Sequence, residues 1–418
     1  MKTFEKTKNL IYSLLKKSEK YTQTDMVYLA KGGFWLTLGQ IISTAASFLL
    51  AIAFANLLDP VTYGNYRYIL SLIGMLSIFT LSGMGAAIIQ AVARGFEGSF
   101  YSVFREKLRF GVLASIVAIG LAVYYFLQGN YFLPIPLLIS AIFSPLMLAS
   151  QIYASFLVGK KLFNIQAKYS VFSRIVSTGA IIITLFITKN LFWLITVYLV
   201  SHTLLNYSFY IIIESKFKPN KKEDSQTLSY GKHLSLMSII STIANYLDRI
   251  LLFTLVGSTQ LAVYSFAILI PNQIKGLMKQ NVGTLAFPKL SIKPLKEIKL
   301  NIMQKFWKLF FLTGIVAIIY VIIAPFLYKI FFPQYLDSIS YSQLFTLSFV
   351  TVPITLLSTI FQAQMMKKEL YLIRIVPIVR IILLLFLTPI YGILGVIMGQ
   401  IGATFFYLAL ILFLFRKF

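Results

Sequence analysis

The sequence predicts an all-α polytopic membrane protein with about twelve transmembrane helices, arranged as two bundles of six. Of its 418 residues, 58% are hydrophobic and 12% are charged, and the mean hydropathy is +0.81. A soluble chain of this length could not remove so much apolar surface from water. Apolar segments long enough to cross a bilayer recur along the whole chain, and the second half repeats features of the first.

Twelve apolar segments match the roughly 20 residues that a membrane-spanning helix needs. Predicted spans 1 to 6 lie at residues 33–57, 64–88, 107–127, 132–157, 166–188 and 191–213. Predicted spans 7 to 12 lie at residues 233–256, 261–285, 306–331, 342–365, 370–389 and 391–415. On one side of the membrane the loops are short, such as QGNY, TKN and GST, so they leave no room for a catalytic domain.

The net charge of +25 is explained by the loops, because Lys and Arg accumulate on the cytoplasmic side of membrane proteins. With the N-terminus inside, only Arg67, Lys189, Arg249 and Lys329 of the 38 Lys and Arg residues fall outside the inner segments and their flanks. Both termini are therefore expected in the cytoplasm. The bilayer is the expected partner of this charge, and nucleic acid is not.

Enzyme chemistry has no support in the sequence. There is no cysteine, and two histidines are too few to build a metal centre alone. The GK in LVGKKLF lacks the glycine-rich loop of a Walker A motif, and no H-E-x-x-H motif occurs. We expect no catalytic residue, no metal and no cofactor, so that energy for transport would come from outside the chain or from an ion gradient.

The charge and hydropathy patterns divide the chain into four segments. They are a basic cytoplasmic arm at 1–31, a first bundle at 32–213, a Lys-rich cytoplasmic linker at 214–232 and a second bundle at 233–418.

The two bundles are predicted to be a repeat. The letters IIST occur at 41–44 and again at 239–242, and the same offset continues across the following loop. The shared offsets align Ala46 with Ala244, Tyr66 with Tyr264 and, at a second offset, Arg174 with Arg380. Because each half has an even number of spans, the halves share one orientation. Parallel repeats with a substrate site between them are a known plan of transporters.

Polar residues inside two corresponding spans form helical faces. In span 7 the face comprises Ser238, Ser241, Asn245 and Asp248. In span 1 it comprises Gln40, Ser43, Thr44 and Ser47. Two such faces could line a hydrated central cavity, or they could form hydrogen bonds that hold neighbouring helices together.

Charged residues inside the spans are costly in hydrocarbon and therefore mark candidate functional positions. Asp248 is the only acid well inside a span, whereas Arg249, Arg174 and Arg380 are deep cations. A cavity that is positive on balance suits a phosphate-bearing or otherwise anionic substrate, since guanidinium binds phosphate with two parallel hydrogen bonds. The alternative is that Asp248 pairs with an arginine to hold two helices together. Arg67, near the outer end of span 2, is either a headgroup contact or an interfacial anchor.

Three stretches of the chain resemble the bacterial polysaccharide flippases, the Wzx-type O-antigen and oligosaccharide exporters of the MOP superfamily. They are KGGFWLTLGQIIST at 31–44, LLDPVTYGNYRYILSLIG at 57–74 and ANYLDRILLFTLVGSTQLAVYSFA at 244–267. In that family a Gly-x-Tyr element opens span 2, as Gly64 to Tyr66 do here. Span 7 typically carries an Asp-Arg pair before a similar loop and a tyrosine, matched by Asp248, Arg249 and Tyr264.

The resemblance implies a MATE-like, V-shaped transporter in the bacterial cytoplasmic (inner) membrane. Such a protein moves a polyprenyl-diphosphate-linked oligosaccharide, an O-antigen or capsule repeat unit, to the outer leaflet by alternating access. The substrate-binding candidates are Arg249, Asp248, Asn245, Arg380, Arg174, Arg67, Gln40 and Ser43. Asp248 is also the candidate for coupling to Na⁺ or H⁺. A polysaccharide polymerase and a chain-length regulator are candidate partners.

Three alternative functions remain open at this level. A MATE-type multidrug cation antiporter would share the spans and the repeat, but it would be expected to place acids in its cavity. A lipid II flippase is a closer relative that usually has two additional spans. A membrane polysaccharide polymerase or ligase would typically need a long outer loop.

Overall fold

The computed structural model describes residues 26–292, 295–364 and 366–416, so most of the predicted arm lies outside the described residues. Every regular element in these three ranges is helical. The all-α prediction is therefore confirmed.

The helices follow the twelve predicted spans in order. Spans 1 to 6 are formed by Met26–Leu57, Pro60–Leu76 with Met84–Ala93, Ser99–Leu127, Pro134–Ser150 with Ile152–Gly159, Phe163–Ile187 and Leu191–Phe217. Spans 7 to 10 are formed by Thr227–Leu255, Ser258–Ile292, Leu295–Phe331 and Ser338–Phe345 with Thr351–Ala363. Spans 11 and 12 are formed by Lys367–Ile373 and Ile375–Arg416. Short 3₁₀ segments lie at Ser77–Thr80, Pro333–Tyr335 and Thr346–Val350.

Ten of the described helices are long and apolar enough to cross a membrane, and an eleventh crossing is a bent pair in span 2. The twelfth crossing arises because Lys367–Arg416, at 50 residues, is far too long for one span of a bilayer about 30 Å thick. The chain reverses at Gly392, whose φ of 55° and ψ of −126° are not helical. The two arms then pack tightly, since a Cβ on Gly395 would lie 2.0 Å from the carbonyl oxygen of Leu387.

Span 2 is the most irregular of the spans. Its two helices, Pro60–Thr80 and Met84–Ala93, meet at an angle of 51°. Leu81 adopts a left-handed conformation at the break, with φ of 54°. The ammonium of buried Lys107 donates to the carbonyl oxygen of Thr80 at 2.9 Å, which satisfies a backbone group that the break exposes. The sequence predicted one uninterrupted span here.

The helix ends also refine the predicted linker at 214–232. Span 6 continues to Phe217 and span 7 begins at Thr227, so only residues 218–226 are non-helical. The basic loops, including this one, gather at one end of the bundle, which we call the basic end. The opposite end carries the short loops at 128–133, 188–190 and 256–257.

The two halves meet along span 2, which packs against spans 7 and 8. Glycines permit this close approach. A Cβ on Gly64 would lie 1.9 Å from the carbonyl oxygen of Ser258, and one on Gly74 would lie 2.3 Å from the ring of Tyr246. The glycine of the Gly-x-Tyr element is therefore required by contact between the halves.

Aromatic side chains close the opposite end between the halves. The ring of Tyr63 lies 4.8 Å from that of Phe266 and 6.2 Å from that of Tyr335. The side-chain amide of Asn56 donates to the carbonyl oxygen of Phe331 at 3.0 Å. At this end, the two halves are thus in direct contact through aromatic side chains.

Polar contacts join the halves at the basic end. The hydroxyl groups of Ser82 and Ser238 lie 2.7 Å apart, and the backbone N–H of Gly83 donates to the Ser235 hydroxyl at 3.0 Å. The Lys232 ammonium at the start of span 7 pairs with Glu106 in span 3 at 2.5 Å. Contacts at this end therefore include hydrogen bonds and an ion pair, whereas those at the opposite end are mainly aromatic.

Candidate functional site between the two halves

Asp248 is the centre of a buried polar cluster in the second half. Its side chain is almost completely buried and accepts hydrogen bonds from Tyr264 Oη at 2.5 Å and Gln400 Nε2 at 2.9 Å. The backbone N–H of Arg249 donates to its other carboxylate oxygen at 2.9 Å. A buried carboxylate with several hydrogen bonds keeps its charge at lower cost than an unpaired one.

Arg380 supplies the positive charge opposite Asp248. One of its terminal nitrogens lies 3.6 Å from the Asp248 carboxylate, and the other donates to the side-chain oxygen of Asn245 at 3.2 Å. Spans 7, 8, 11 and 12 are therefore joined by one network. This arrangement agrees with the alternative in which Asp248 pairs with an arginine to hold helices together.

Arg249 points away from this network although it is the next residue. Its guanidinium has no carboxylate within 4.0 Å among the described residues, and its Nε is buried with no hydrogen-bond partner. The guanidinium carbon of Arg249 lies 5.9 Å from the centre of the Tyr246 ring, and Tyr246 lines a cavity between the halves. Asp248 thus accepts a hydrogen bond from the backbone N–H of Arg249, and the two side chains lie within electrostatic range without forming an ion pair.

Arg67 and Arg174 bring two further guanidinium groups from the first half. Neither has a carboxylate within 4.0 Å or a side-chain hydrogen bond in the described part of the chain, and the Nε of Arg67 is buried without a partner. Tyr63 lies within electrostatic range of both Arg67 and Arg249. Tyr66 lies within range of Arg67 and Arg174. We call Arg67, Arg174 and Arg249 the arginine cluster.

A cavity of about 1040 Å³ lies on the basic-end side of this cluster. Most of its lining is polar and uncharged, contributed by spans 1, 2, 4, 5, 6, 7 and 8. Arg174 and Lys107 are the cations among its lining residues, and no acid lines it. Its volume is at the upper end of the usual range for small-molecule sites, so a ligand larger than a single small metabolite could fit.

The predicted site residues divide into three groups. Gln40, Ser43 and Arg174 line the cavity. Arg67 and Arg249 lie at the boundary of the halves near Tyr63, beyond the cavity lining. Asn245, Asp248 and Arg380 form the buried network of the second half, so the structure does not place all eight on one surface.

Three residues that the sequence analysis did not select contribute to these sites. Gln400 and Tyr264 hydrogen-bond each other as well as Asp248. Lys107 lines the cavity and stabilises the break in span 2. Gln400 could have been selected from the sequence, because it is an isolated amide in the apolar run LGVIMGQIGATF. Tyr264 was noted in the sequence only as the partner of Tyr66 in the repeat and as the tyrosine that follows the Asp-Arg pair of span 7.

Comparison with known proteins assigns the family. The polysaccharide biosynthesis protein family matches residues 29–292, which is more than half of the chain. The chain belongs to this family. A putative O-antigen transporter of Shigella flexneri is 24% identical over 324 residues, covering 73% of this chain and 77% of that protein.

Solved structures show the fold of this family member. The lipid II flippase MurJ in an inward closed conformation matches with a TM-score of 0.68 and 14% identity, covering 90% of this chain and 86% of that one. An outward-facing multidrug resistance MATE family transporter of the MOP superfamily matches with a TM-score of 0.62 and 14% identity, covering 93% and 95% of the two chains. The predicted MATE-like fold is confirmed.

Proposed function

We propose that this protein is a flippase that moves a polyprenyl-diphosphate-linked oligosaccharide, such as an O-antigen or capsule repeat unit, across the membrane. The observation that carries the proposal is the arginine cluster, in which three guanidinium groups from both halves have no acidic partner among the described residues. The family assignment and the O-antigen transporter relative support the same class of substrate.

The chemistry of the cluster suits a diphosphate headgroup. A guanidinium in a site of low dielectric gains more from an anion than it would in water, and its planar geometry allows two parallel hydrogen bonds to phosphate oxygens. Arg67 and Arg174 belong to the first half and Arg249 to the second. A bound diphosphate would therefore bridge the two halves, and its release would free them to separate.

A cation antiporter is less compatible with the same geometry. Binding a cation in the cavity needs an available carboxylate, and none of the described lining residues supplies one. Asp248, the one acid well inside a span, is surrounded by Arg380, Tyr264 and Gln400. The short loops at 128–133, 188–190 and 256–257 likewise offer little room for a polymerase or ligase site.

We place the protein in the bacterial cytoplasmic membrane, with the basic end and both termini in the cytoplasm. In this orientation the cavity lies on the cytoplasmic side and the aromatic contacts around Tyr63 close the outer side. Cysteine labelling suits a chain without native cysteine. Asn130→Cys should react with a membrane-impermeant maleimide in intact spheroplasts, and Lys221→Cys should react only after lysis. The reverse pattern would contradict the orientation.

Coupling to Na⁺ or H⁺ is proposed to act at Asp248. Because its carboxylate oxygens already have partners, an incoming cation would have to displace Arg380 or Tyr264 from them. Such an exchange would change the contacts among spans 7, 8, 11 and 12, which is the kind of two-state element that coupling requires.

The decisive experiment replaces Arg249 in a bacterial strain whose surface polysaccharide depends on this protein. Arg249→Ala should lower surface polysaccharide about 10-fold or more, since a hydrogen bond to a charged group contributes about 1.5–3 kcal/mol. Arg249→Lys should restore it only in part, because an ammonium cannot form the paired contact.

Arg109→Ala is the matched control, because the Arg109 side chain is 78% exposed at the basic end, beside Glu106. It should give normal surface polysaccharide. Immunoblots of membranes must show equal amounts of all variants. Normal polymer in cells carrying Arg249→Ala would contradict the proposed role of the arginine cluster.

A further inference from the structure

The break in span 2 lies in the wall of the cavity. Both helices of span 2 contribute lining residues, among them Ser77 and Gly85, and Lys107 of span 3 lines the cavity beside them. The buried ammonium of Lys107 donates to the carbonyl oxygen of Thr80 at the break. An ammonium has three donors, and this one forms no ion pair with a described residue. Lys107 is therefore a cavity cation whose partner is a neutral carbonyl group.

The backbone at the break differs from that of a continuous helix in two ways. Leu81 has a φ of 54°, a left-handed conformation that costs free energy in a residue with a Cβ. The N–H of Met84 donates to the carbonyl oxygen of Leu81 at 3.1 Å, whereas in a continuous α-helix it would donate to that of Thr80. Lys107 occupies the Thr80 oxygen instead. If the ammonium left, this oxygen could accept from Met84, and Leu81 could return to a helical conformation.

The two helices of span 2 contact span 7 on either side of the break. In the first helix, a Cβ on Gly74 would lie 2.3 Å from the ring of Tyr246. In the second helix, Met84 packs so closely that a Cβ on Gly231 would lie 2.3 Å from its sulfur atom. A change of the bend must therefore move the second helix relative to span 7 at the basic end, where the two halves meet.

We infer that Lys107 is a positioning residue that couples an anionic ligand in the cavity to the bend of span 2. An anion is a stronger partner for an ammonium than a neutral carbonyl group is, so a diphosphate between Lys107 and Arg174 draws the ammonium from the Thr80 oxygen. That oxygen then accepts the N–H of Met84, and the bend decreases. A ligand shifts a conformational equilibrium only by interacting differently with its two states, and Lys107 supplies this difference.

This inference rests on the proposed flippase function, because it requires an anionic headgroup in the cavity. It adds the step by which binding of that headgroup changes the contact between the two halves. Contacts at the basic end would then depend on whether the cavity is occupied.

The test measures the bend in the purified full-length protein in lipid nanodiscs. Spin labels are attached at Val61→Cys and Ala93→Cys, which replace exposed residues near the two ends of span 2 in a chain without native cysteine. A straight helix would separate these positions by about 48 Å, and the bend of 51° shortens this by about 4 Å. Saturating farnesyl diphosphate should lengthen the distance measured by double electron–electron resonance by up to about 4 Å. Farnesol, which lacks the diphosphate, should not change it.

Three substitutions distinguish this coupling from a merely structural role. Lys107→Gln keeps a donor for the Thr80 carbonyl oxygen but has no charge, so the short distance should persist and farnesyl diphosphate should not lengthen it. Lys107→Met has neither donor nor charge, and the longer distance should be present without ligand. Arg109→Gln is the matched control, because it removes an exposed cation from the same helix, and it should respond like the unaltered protein.

The outcomes separate this inference from the proposed function, because calorimetry measures binding of farnesyl diphosphate on the same samples. If the ligand binds and the distance in the unaltered protein stays the same, the role of Lys107 is overturned while the proposed function stands. An equal lengthening in Lys107→Gln at saturating ligand would also overturn it, since the charge would then be irrelevant. If farnesyl diphosphate does not bind, the proposed function fails together with this inference.

Discussion

The second half of the molecule holds a closed polar network around Asp248, whereas the boundary between the halves holds an open arginine cluster. In the network, acid and base face each other, and Tyr264, Gln400 and Asn245 supply hydrogen bonds to them, although the Nε of Arg380 is buried without a partner. In the cluster, three guanidinium groups have no acidic partner among the described residues. Both regions consist of charged groups at membrane depth, yet one contains an ion pair and the other contains none among the described residues.

This difference shows that the adjacent residues Asp248 and Arg249 belong to different regions of the molecule. Consecutive side chains on a helix point about 100° apart. Asp248 therefore faces its own half, while Arg249 faces the boundary near Tyr63 and Tyr246. We infer that charge satisfied within one half contributes stability, and that charge left open at the boundary contributes binding. Stability measurements on single variants test this distinction.

The largest loss of stability is expected for Asp248→Ala. The substitution leaves the partly exposed Arg380 without its counter-charge. Removing one partner of a fully buried ion pair costs about 3–5 kcal/mol, and a cost near the lower end of this range is expected here. Thermal unfolding of the purified protein in detergent should show a marked drop in apparent Tm. The double variant Asp248→Ala with Arg380→Ala should recover part of it, because no unpaired charge remains.

Asp224→Ala is the control for this comparison. Asp224 lies at the basic end, where it pairs with the half-exposed Arg94 and accepts hydrogen bonds from the backbone N–H of Gln226 and the hydroxyl of Thr227. An ion pair with an exposed partner contributes little, and a helix cap contributes about 1 kcal/mol. Its loss should lower the apparent Tm far less. An equal Tm for Asp248→Ala and the unaltered protein would show that the network does not stabilise the second half.

A smaller loss is expected for Tyr264→Phe. It removes the phenolic donor to Asp248 at 2.5 Å without creating a cavity, because the ring stays in place. Leaving one buried acceptor short of a donor costs about 1–3 kcal/mol. The matched variant is Tyr66→Phe at the repeat-related position, where the structure records no hydrogen bond of the phenol with a described residue. If both variants lower the apparent Tm equally, the hydroxyl of Tyr264 has no special role.

The smallest effect on stability is expected for Arg249→Ala. Arg249 forms no ion pair with a described residue, so its removal gives up only longer-range attraction to Asp248 and also removes a desolvation cost. The two effects oppose each other, and the free energy of unfolding should change by about 0.5 kcal/mol. The same thermal unfolding assay measures it, and surface polysaccharide reports the functional loss separately. A drop in Tm as large as that of Asp248→Ala would place Arg249 inside the stabilising network.

Much of the architecture could be predicted from composition, because few backbone conformations can satisfy their hydrogen bonds inside a bilayer. A span must be an apolar helix of about 20 residues, so hydropathy finds it directly. All twelve predicted segments correspond to described helices, including the pair that reverses at Gly392. The break in span 2 was not predictable, since it depends on Lys107, which is separated by 27 residues from the Thr80 carbonyl oxygen that it contacts.

For the candidate site, the sequence identified the charged residues but not their partners. It selected Asp248, Arg249 and Arg380 because charge inside a span is costly. It could not predict that Arg380 would face Asp248 while Arg249 would not. Gln400 and Asp248 are separated by 152 residues, and only the packing of spans 7 and 12 brings them together.

The class of protein, the number of spans and the identity of the intramembrane charges could all be predicted from the sequence, because each follows from local composition and the cost of charge in hydrocarbon. Which of these charges form an ion pair became visible only in the folded chain. That outcome depends on the direction of side chains and on contacts between distant helices. Local sequence does not encode either, since a change of one position rotates a side chain about 100° around the helix axis.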